Sequence, residues 1–279
     1  MTSKTMAVLP PRRLGTTCNT GIEATSIIAS LALLLAFWSI STASAQVPAK
    51  LAELSLLAGV LKWLPLIFSG FLFNLLVSVL AMMLGTALGM LLGFGLISLS
   101  GWVRSGSWLL TQFFRNAPWL VILFYAMFLI PFQFTIASTT IPFPDTIKAV
   151  IGLALPVMAN VAEIVRGGIV SIPSTQWESA ESLAFSRRQT LWKIILPQAV
   201  KRMLPPWMNL YAILTMATPL ISIVGVQDGL TMTRGALVAE ARPDLLIPMY
   251  LALLAMFFLY CYPIALATRA LEKRFDVRI

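Results

Sequence analysis

Long apolar stretches alternate with short polar connections along most of the chain. Stretches close to the ~20 residues that a helix needs to cross a bilayer occur at about 66–97, 117–133, 148–170, 207–227 and 245–268. Apolar runs of this length, almost without charge, are typical of transmembrane helices. The pattern therefore predicts an all-α polytopic membrane protein with five core transmembrane helices.

The longest polar segment between these stretches covers about residues 173–206. Residues 175–178 (TQWE) and 186–189 (SRRQ) both fit a capping box, in which two side chains satisfy the free backbone N–H groups of a helix start. We therefore predict two short helices, hinged near Ala184. A polar segment of this length in a membrane protein indicates a surface to which a partner outside the bilayer can bind.

Three glycines form a regular pattern within the first apolar stretch. Gly85, Gly89 and Gly93 recur every four residues, one turn after Ala81. Small residues at this spacing give a helix a smooth face that another helix can approach closely. This face packs either inside the subunit's own bundle or at an interface between subunits.

Composition supports the membrane assignment, and charge orients the chain. Hydrophobic residues make up 58% of the 279 residues and charged residues only 11%, which is too apolar for a soluble domain. Most of the 20 Lys and Arg residues fall on the side of the 173–206 segment, which the positive-inside rule places in the cytoplasm. The basic residues expected on the outer side are Lys50, Lys62, Lys148, Arg234 and Arg242. Topology thus explains the net charge of +9, and no nucleic-acid partner is predicted.

The N-terminal region contains signals for two different fates. A basic start and an apolar run at 27–40 are followed by Ala43-Ser44-Ala45, which resembles a signal-peptidase site. Residues 1–45 are therefore either a cleaved signal peptide or an N-terminal membrane anchor that forms a sixth helix. In both cases residues 46–279 form the transmembrane domain.

The chain lacks the residues that most enzymes and metal sites need. It has no histidine and only two cysteines, Cys18 and Cys261. We therefore predict no metal site, no disulfide framework and no cofactor. It also lacks a GxxxxGK[ST] loop, so it cannot hydrolyse ATP itself. The energy for any active process must come from another subunit.

Several motifs occur in one order between about residues 70 and 275. They are ESA at 178–180, followed at fixed spacing by Ala184 and by Ile194-x-Leu196-Pro197, and FFRNAPWL at 113–120, NVAEIVRGG at 160–168 and SIP at 171–173. The first of these resembles the EAA loop of ABC importer permeases. The others are similar to the polar amino acid branch of that family, the histidine/glutamate/glutamine/arginine/opine permeases.

The resemblance implies the type I ABC importer permease fold and import of a polar amino acid or related small solute across the bacterial inner membrane. It implies three protein partners: a separate ABC ATPase subunit, a periplasmic solute-binding protein, and a second permease subunit that is either an identical copy or a paralogue. It also makes one segment of the polar loop a coupling helix seated in the ATPase. The residues of that segment are Glu178, Ser179, Ala180, Glu181, Ser182, Leu183 and Ala184.

Two positions depart from the family pattern. Ala184 stands where the family usually has glycine, so the turn needs either a right-handed residue or about 1 kcal/mol of strain. Residues 216–220 (MATPL) replace a run like Lys-Asp-Thr-Ser-Leu in the fourth core stretch. The missing charge pair indicates a pathway that relies on neutral groups, and it leaves the identity of the solute open.

Polar residues inside the membrane are costly and are therefore candidates for contact with the solute. Six residues form the candidate substrate pathway: Asn160, Glu163, Asn209, Thr215, Thr218 and Ser222. Glu163 lies three residues from Arg166 on one helix face, so we expect the two to form an ion pair; contact with the solute is the alternative role of Glu163. Pro219 produces either a simple kink or an unwound turn with exposed carbonyls.

Basic residues are concentrated in the polar loop. They are Arg187, Arg188, Lys193, Lys201 and Arg202. Cationic side chains at the cytoplasmic border are attracted to anionic lipid headgroups. We therefore expect them to anchor the loop near lipid phosphates, which makes membrane lipid a further partner.

Two other classes of protein share the apolar composition. An ion-coupled secondary transporter of a small polar solute would need acidic or histidine relays deep in the membrane and internal repeats, and neither is visible. A membrane enzyme such as an intramembrane protease or acyltransferase would need a catalytic constellation, but the chain has no histidine and no convergent acid pair. Copurification with an ATPase would separate a permease from both.

Overall fold

The computed structural model describes residues 49–136 and 139–275, with side chains over 55–133 and 142–275. The signal peptide or anchor predicted at 1–45 lies outside the described residues. Leu54–Ile279 forms one compact unit. The described part of this unit is almost entirely helical, as the apolar pattern predicts.

The elements follow one another with short connections. In chain order they are α1 (Ala49–Leu96), α2 (Gly101–Asn116), α3 (Trp119–Leu129), β1 (Gln133–Ile136), β2 (Thr139–Pro142), α4 (Asp145–Val170), α5 (Ser174–Ser182), α6 (Arg187–Thr190), α7 (Leu196–Ala217), α8 (Gly229–Glu240) and α9 (Leu246–Phe275). A π-helical turn, Leu191–Ile195, joins α6 to α7. Short 3-10 helices follow α7 at Thr218–Val224 and precede α9 at Pro243–Leu245.

Four segments are long and apolar enough to cross a membrane. They are Ser55–Leu96, Asp145–Val170, Arg187–Val224 and Pro243–Phe275. These segments overlap four of the five predicted stretches. The remaining stretch, predicted over about 117–133, forms a shorter helix than expected, because α3 has only 11 residues, or about 16 Å of helix.

Prolines set the limits of α3. Pro118 caps its start with φ −60° and ψ 131°, and Ala117 before it is extended at ψ 140°. A residue before proline avoids the helical region because its backbone clashes with the proline ring. Ile130, which ends α3, likewise precedes Pro131 and is extended. α2 and α3 are therefore two helices with a break between them, and the apolar run alone overestimates the helix length.

The core lies between α1, α4 and α7. Val77 of α1, Leu153 and Val157 of α4, and Leu214 of α7 are completely buried. Lipid chains are as apolar as these side chains, so the bilayer gives little hydrophobic drive for helix association. Close packing must therefore hold the helices together.

The glycine face of α1 supplies this close packing. Each glycine faces a valine of α4 at the same spacing, and a Cβ added to it would lie 2.5–2.7 Å from the valine: the pairs are Gly85 with Val157, Gly89 with Val161, and Gly93 with Val165. No side chain fits at that distance, so the helices approach as closely as they do only because these positions are glycine. Of the two roles predicted for this face, packing inside the subunit is the observed one.

A β-hairpin connects α3 to α4, where the sequence analysis predicts no strand. β1 and β2 pair antiparallel, with Gln133 opposite Pro142. Phe132, just before β1, lies over the Lys148 ammonium, with 3.2 Å between Nζ and the ring centroid. The Lys148 side chain is completely buried, and its Nζ lies 3.4 Å from an Asp145 carboxylate oxygen. The ring and the carboxylate are the favourable contacts of this buried ammonium, whose Nζ has no hydrogen-bond partner among the described residues.

One carboxylate fastens the end of α8 to the first half of α1. Glu240 accepts hydrogen bonds from Lys62 Nζ at 2.6 Å and from Trp63 Nε1 at 2.8 Å. The hydrogen bond from Lys62, and to a smaller extent the one from Trp63, lowers the pKa of Glu240 below its ordinary value. The contact therefore favours the ionised carboxylate.

Candidate functional site

α5 begins two residues earlier than its predicted capping box requires. Pro173, not Thr175, precedes the first helical residue, and no side chain caps this end. The Pro173 carbonyl accepts from the Gln176 amide at 3.1 Å, so Thr175 is already inside the helix. The capping box predicted at Thr175 and Glu178 is therefore wrong. The Glu178 carboxylate therefore remains available for other contacts.

The second predicted capping box is confirmed at the start of α6. The Ser186 hydroxyl accepts from the Gln189 amide at 3.4 Å, and the Gln189 side-chain oxygen accepts from the Ser186 amide at 2.9 Å. Both backbone donors are satisfied reciprocally, as this motif requires. α6 is therefore specified by its local sequence.

The turn between α5 and α6 has a Schellman geometry centred on Ala184. The Phe185 amide donates to the Ala180 carbonyl at 3.0 Å, and the Ala184 amide donates to the Glu181 carbonyl at 2.8 Å. These are the two bonds that define the motif. Ala184 has φ of 60°, a left-handed conformation that favours glycine. Of the two alternatives for this residue, the strained one is observed.

The predicted coupling residues divide into one buried and six exposed positions. Ala180 is only 2% exposed and packs inside the subunit, whereas Leu183 is 72% exposed. Glu178 and Glu181 are exposed and form no ion pair with any described side chain. The outer surface of α5 therefore presents two carboxylates and one large apolar side chain.

The subunit holds α5 firmly against the ends of its long helices. Trp177 of α5 packs against the main core, and the Arg187 guanidinium lies 5.9 Å from the centroid of its ring. Arg202 of α7 donates to the Ser171 carbonyl at the end of α4 at 2.7 Å. α5 thus packs against the core through Trp177, and a hydrogen bond joins α7 to the end of α4 beside it.

A polar cavity of about 520 Å³ lies where α2, α4 and α7 meet. It brings together three of the six candidate pathway residues, Asn160, Glu163 and Asn209. Arg115 and Arg202 also line it, although the sequence analysis assigns neither to the pathway. Arg115 lies within the FFRNAPWL motif, and this position in a family motif is the sequence signal that could have identified it as a pathway residue.

Glu163 is the acidic centre of this cavity. Its carboxylate lies 2.9 Å from Arg166 Nε, which confirms the predicted ion pair, and 3.8 Å from Arg115 Nη1, which the sequence did not indicate. The neighbouring Asn160 donates its side-chain amide to the Pro156 carbonyl at 2.8 Å, which leaves its side-chain oxygen as an acceptor. The cavity therefore offers cationic groups from α2 and α7 beside an anionic and a neutral polar group of α4.

The other three candidate residues do not line the cavity. Thr215 donates its hydroxyl to the Tyr211 carbonyl at 2.9 Å, and Ser222 donates to the Pro219 carbonyl at 2.8 Å. Thr218 is completely buried and donates to the Thr215 carbonyl at 2.8 Å. These hydroxyls satisfy backbone carbonyls at the point where α7 changes to a 3-10 helix.

Thr218 belongs to a buried polar network that the sequence analysis did not identify. Asn74 of α1 donates its amide to the Thr218 hydroxyl and to an Asp228 carboxylate oxygen, both at 3.1 Å, and accepts from the Gly229 amide at 2.9 Å. Asp228 also caps α8 by accepting from the Thr231 amide at 2.8 Å. Asn74, Thr218 and Asp228 are all completely buried. The network joins α1, the end of α7 and the start of α8.

Comparison with known proteins gives a consistent result. The family described as binding-protein-dependent transport system inner membrane component matches residues 85–277. The inner membrane amino-acid ABC transporter permease protein YhdY of Escherichia coli is 33% identical over 188 residues, which are 67% of this chain and 50% of that protein. The probable amino-acid ABC transporter permease protein YckA of Bacillus subtilis is 31% identical over 211 residues, 76% of this chain and 89% of that protein. The chain thus spans about half of the first relative and most of the second.

Two solved structures have the same fold. An amino acid ABC transporter with histidines aligns with a TM-score of 0.67 and 23% identity, over 77% of this chain and 96% of that one. The MetNI methionine ABC transporter in an inward-facing conformation aligns with a TM-score of 0.57 and 15% identity, over 75% and 97%. The predicted type I ABC importer permease fold is confirmed. Since the family match covers most of the chain, this protein belongs to the family of binding-protein-dependent transport system inner membrane components.

Proposed function

We propose that the chain is the permease subunit of an ABC importer that moves a polar amino acid or related small solute across the bacterial inner membrane. The family consists of inner membrane transport components, and the relatives compared above are named as amino-acid ABC permeases. The observation that carries the proposal is α5, an exposed helix with unpaired carboxylates that is held against the ends of α4 and α7.

In this mechanism α5 couples the pore to an ATPase. Glu178 and Glu181 are free to pair with basic residues of a partner, and the exposed Leu183 supplies an apolar contact. The remaining exposed coupling residues, Ser179, Ser182 and Ala184, are small enough to allow close docking. ATP-driven movement of the partner then reaches α4 and α7 through the packed Trp177 and the bond from Arg202 to α4.

The polar cavity is the proposed solute pathway. A free amino acid carries one carboxylate and one ammonium, and the cavity holds both complementary charges, in contrast to the neutral pathway expected from residues 216–220. Arg115 and Arg202 suit the carboxylate, Glu163 suits the ammonium, and the amides of Asn160 and Asn209 suit polar side chains of the solute. Its volume is within the range of small-molecule sites. Thr215, Thr218 and Ser222 are then supports of the pathway wall.

The proposed assembly has three further protein components. A separate ATPase subunit supplies the energy, because this chain has no phosphate-binding loop. A periplasmic binding protein delivers the solute from outside. A second permease subunit, a copy or a paralogue, completes the pathway, which is supported by the exposure of Arg115 and Asn209 at the cavity.

Charge reversal on α5 tests the coupling role. The transporter is reconstituted in liposomes with its ATPase and binding protein, and uptake of a panel of labelled polar amino acids is measured. Glu178→Arg/Glu181→Arg should reduce uptake at least tenfold, because two charge-assisted contacts each contribute about 1.5–3 kcal/mol. Membrane insertion should be unchanged, since both side chains are exposed.

Glu272→Arg is the matched control, because Glu272 is an exposed glutamate near the end of α9 and not on α5. It should leave uptake within about twofold of wild type. If the double variant transports normally, α5 is not the coupling helix. If wild type and Glu272→Arg transport no tested amino acid but keep binding-protein-stimulated ATP hydrolysis that the double variant loses, the coupling role stands and the proposed solute class is wrong.

A further inference from the structure

A second cavity, of about 1000 Å³, lies beside α5, and the proposed transport function does not use it. It is bounded by the ends of α1 and α4, the start of α2, and the α5–α6 region. Four arginines line it: Arg104, Arg166, Arg187 and Arg188. No acidic residue lines it within the described part of the chain.

Most of the positive charge in this cavity is not neutralised by the protein. Arg166 pairs with Glu163 at 2.9 Å. Arg104, Arg187 and Arg188 form no salt bridge with any side chain in the described ranges. Like charges gathered in one cavity repel one another unless an anion enters it. Guanidinium groups are also the side chains best suited to bind phosphate, because they donate in a bidentate geometry.

The remaining walls are strongly apolar. They include Phe94, Leu96, Ile97, Ile169, Val170 and Trp192. The Phe94 and Trp192 rings lie 5.7 Å apart, so they form one continuous aromatic wall. Leu96 and Val170 are the last residues of α1 and α4, so this wall lies at one boundary of the two membrane spans. A soluble phosphate compound would leave such walls exposed to water.

We propose that this cavity is a binding site for an anionic phospholipid from the leaflet on the α5 side. The arginines bind its phosphate, and the acyl chains lie along the apolar wall at the ends of α1 and α4. Basic pockets between transmembrane helices are suited to such headgroups. Ser174 and Trp177 of α5 line the same cavity, so the bound lipid bridges α5 to α2 and α6. The site stands independently of the proposed solute.

The test measures lipid bound to the full-length chain purified in detergent. Native mass spectrometry follows a titration with phosphatidylglycerol, and phosphatidylcholine is the neutral comparison. Arg104→Gln/Arg187→Gln/Arg188→Gln should weaken phosphatidylglycerol binding about a hundredfold, since each basic residue near an anionic lipid contributes about fivefold. The single variants Arg104→Gln and Arg188→Gln should each weaken it about fivefold, which keeps the test valid if the triple variant folds poorly.

A matched control removes the same charge elsewhere. Arg234→Gln/Lys273→Gln/Arg274→Gln changes three exposed basic residues that lie outside both the cavity and the basic loop. It should leave the affinity for phosphatidylglycerol within about twofold of wild type. Equal losses in both triple variants would overturn the site and indicate general attraction to anionic surfaces.

Two further arms distinguish other occupants. Glycerol phosphate should not compete with phosphatidylglycerol at millimolar concentration, because it has no acyl chains for the apolar wall. Effective competition would mean that the cavity binds a soluble phosphate compound instead of lipid. Addition of the ATPase subunit should leave the bound lipid in place; its complete displacement would mean that the cavity is part of the ATPase docking surface.

Discussion

Replacement of Ala184 by glycine should stabilise the protein. Ala184 has φ of 60° in the Schellman turn that ends α5. A left-handed conformation costs an L-residue roughly 1–2 kcal/mol, and glycine removes this cost. Glycine also increases the freedom of the unfolded chain, which returns about 0.4–1 kcal/mol. Ala184 is exposed, so no packing is lost. The net gain is about 0.5–1 kcal/mol.

A thermal unfolding assay on the detergent-purified chain can detect this gain. For a unit of this size a stabilisation of 1 kcal/mol raises Tm by about 2–4 °C, so we expect a rise of about 1–4 °C. Ala241→Gly should act in the same direction, because Ala241 has φ of 52° at the end of α8. Ala270→Gly, at an exposed position inside α9, should lower stability by about 0.5–1 kcal/mol.

Replacement by glycine should therefore raise Tm at the left-handed alanines, Ala184 and Ala241, and lower it at the helical Ala270. A fall in Tm for both Ala184→Gly and Ala270→Gly would refute the reasoning, because it would mean that the strain at φ of 60° is smaller than the entropy cost of glycine. Uptake provides a second readout. If the turn only joins two helices, Ala184→Gly should leave the uptake rate unchanged while Tm rises.

Three further predictions concern packing, the solute pathway and pH. Gly89→Ala should lower stability by about 1–3 kcal/mol through overpacking. Gly235→Ala should not, because there is open space around Gly235. Equal shifts in Tm for the two variants would contradict close packing of α1 against α4 at Gly89. Glu163→Gln should raise the KM for uptake about tenfold or more, because it removes a charged partner of the solute ammonium, and Thr218→Val should lower Tm with KM unchanged; the reverse pattern would place the pathway at Thr218. The pKa of Glu240 is lowered in the folded protein. At pH values above the ordinary glutamate pKa, the ionised carboxylate therefore stabilises the fold, and this stabilisation is lost as the pH falls through the folded pKa. The Tm of the wild-type protein should therefore fall more steeply below about pH 5 than the Tm of Glu240→Gln.

Local signals made parts of the fold predictable from sequence. The long apolar helices, the glycine face of α1 and the capping box at Ser186 each depend on residues within a few turns of one another. The errors were also local. Pro118 and Pro131 shorten α3 within an apolar run, and Pro173 starts α5 before Thr175 can cap it. In each case a proline set the helix boundary, at a position different from the one that the apolar or capping pattern predicted.

The polar residues were harder to assign, because their roles depend on partners far away in the chain. Asn160, Glu163 and Asn209 reach one cavity from α4 and α7, whereas Thr218 points its hydroxyl into a network with Asn74, 144 residues earlier. All of them are polar residues in or near apolar stretches. Only the arrangement of helices distinguishes those that face a cavity from those that bind one another.

The network around Asn74 also affects how the protein is made. α1 enters the membrane with the Asn74 amide unsatisfied, and Asp228, its partner, is synthesised 154 residues later. At about 5–20 residues per second, this interval is about 8–30 seconds. During that time the translocation machinery, water or a lipid headgroup must satisfy a polar group in the middle of a transmembrane helix. The completed network therefore forms late in biogenesis and requires that the first three long spans, which end at Val224, have been inserted.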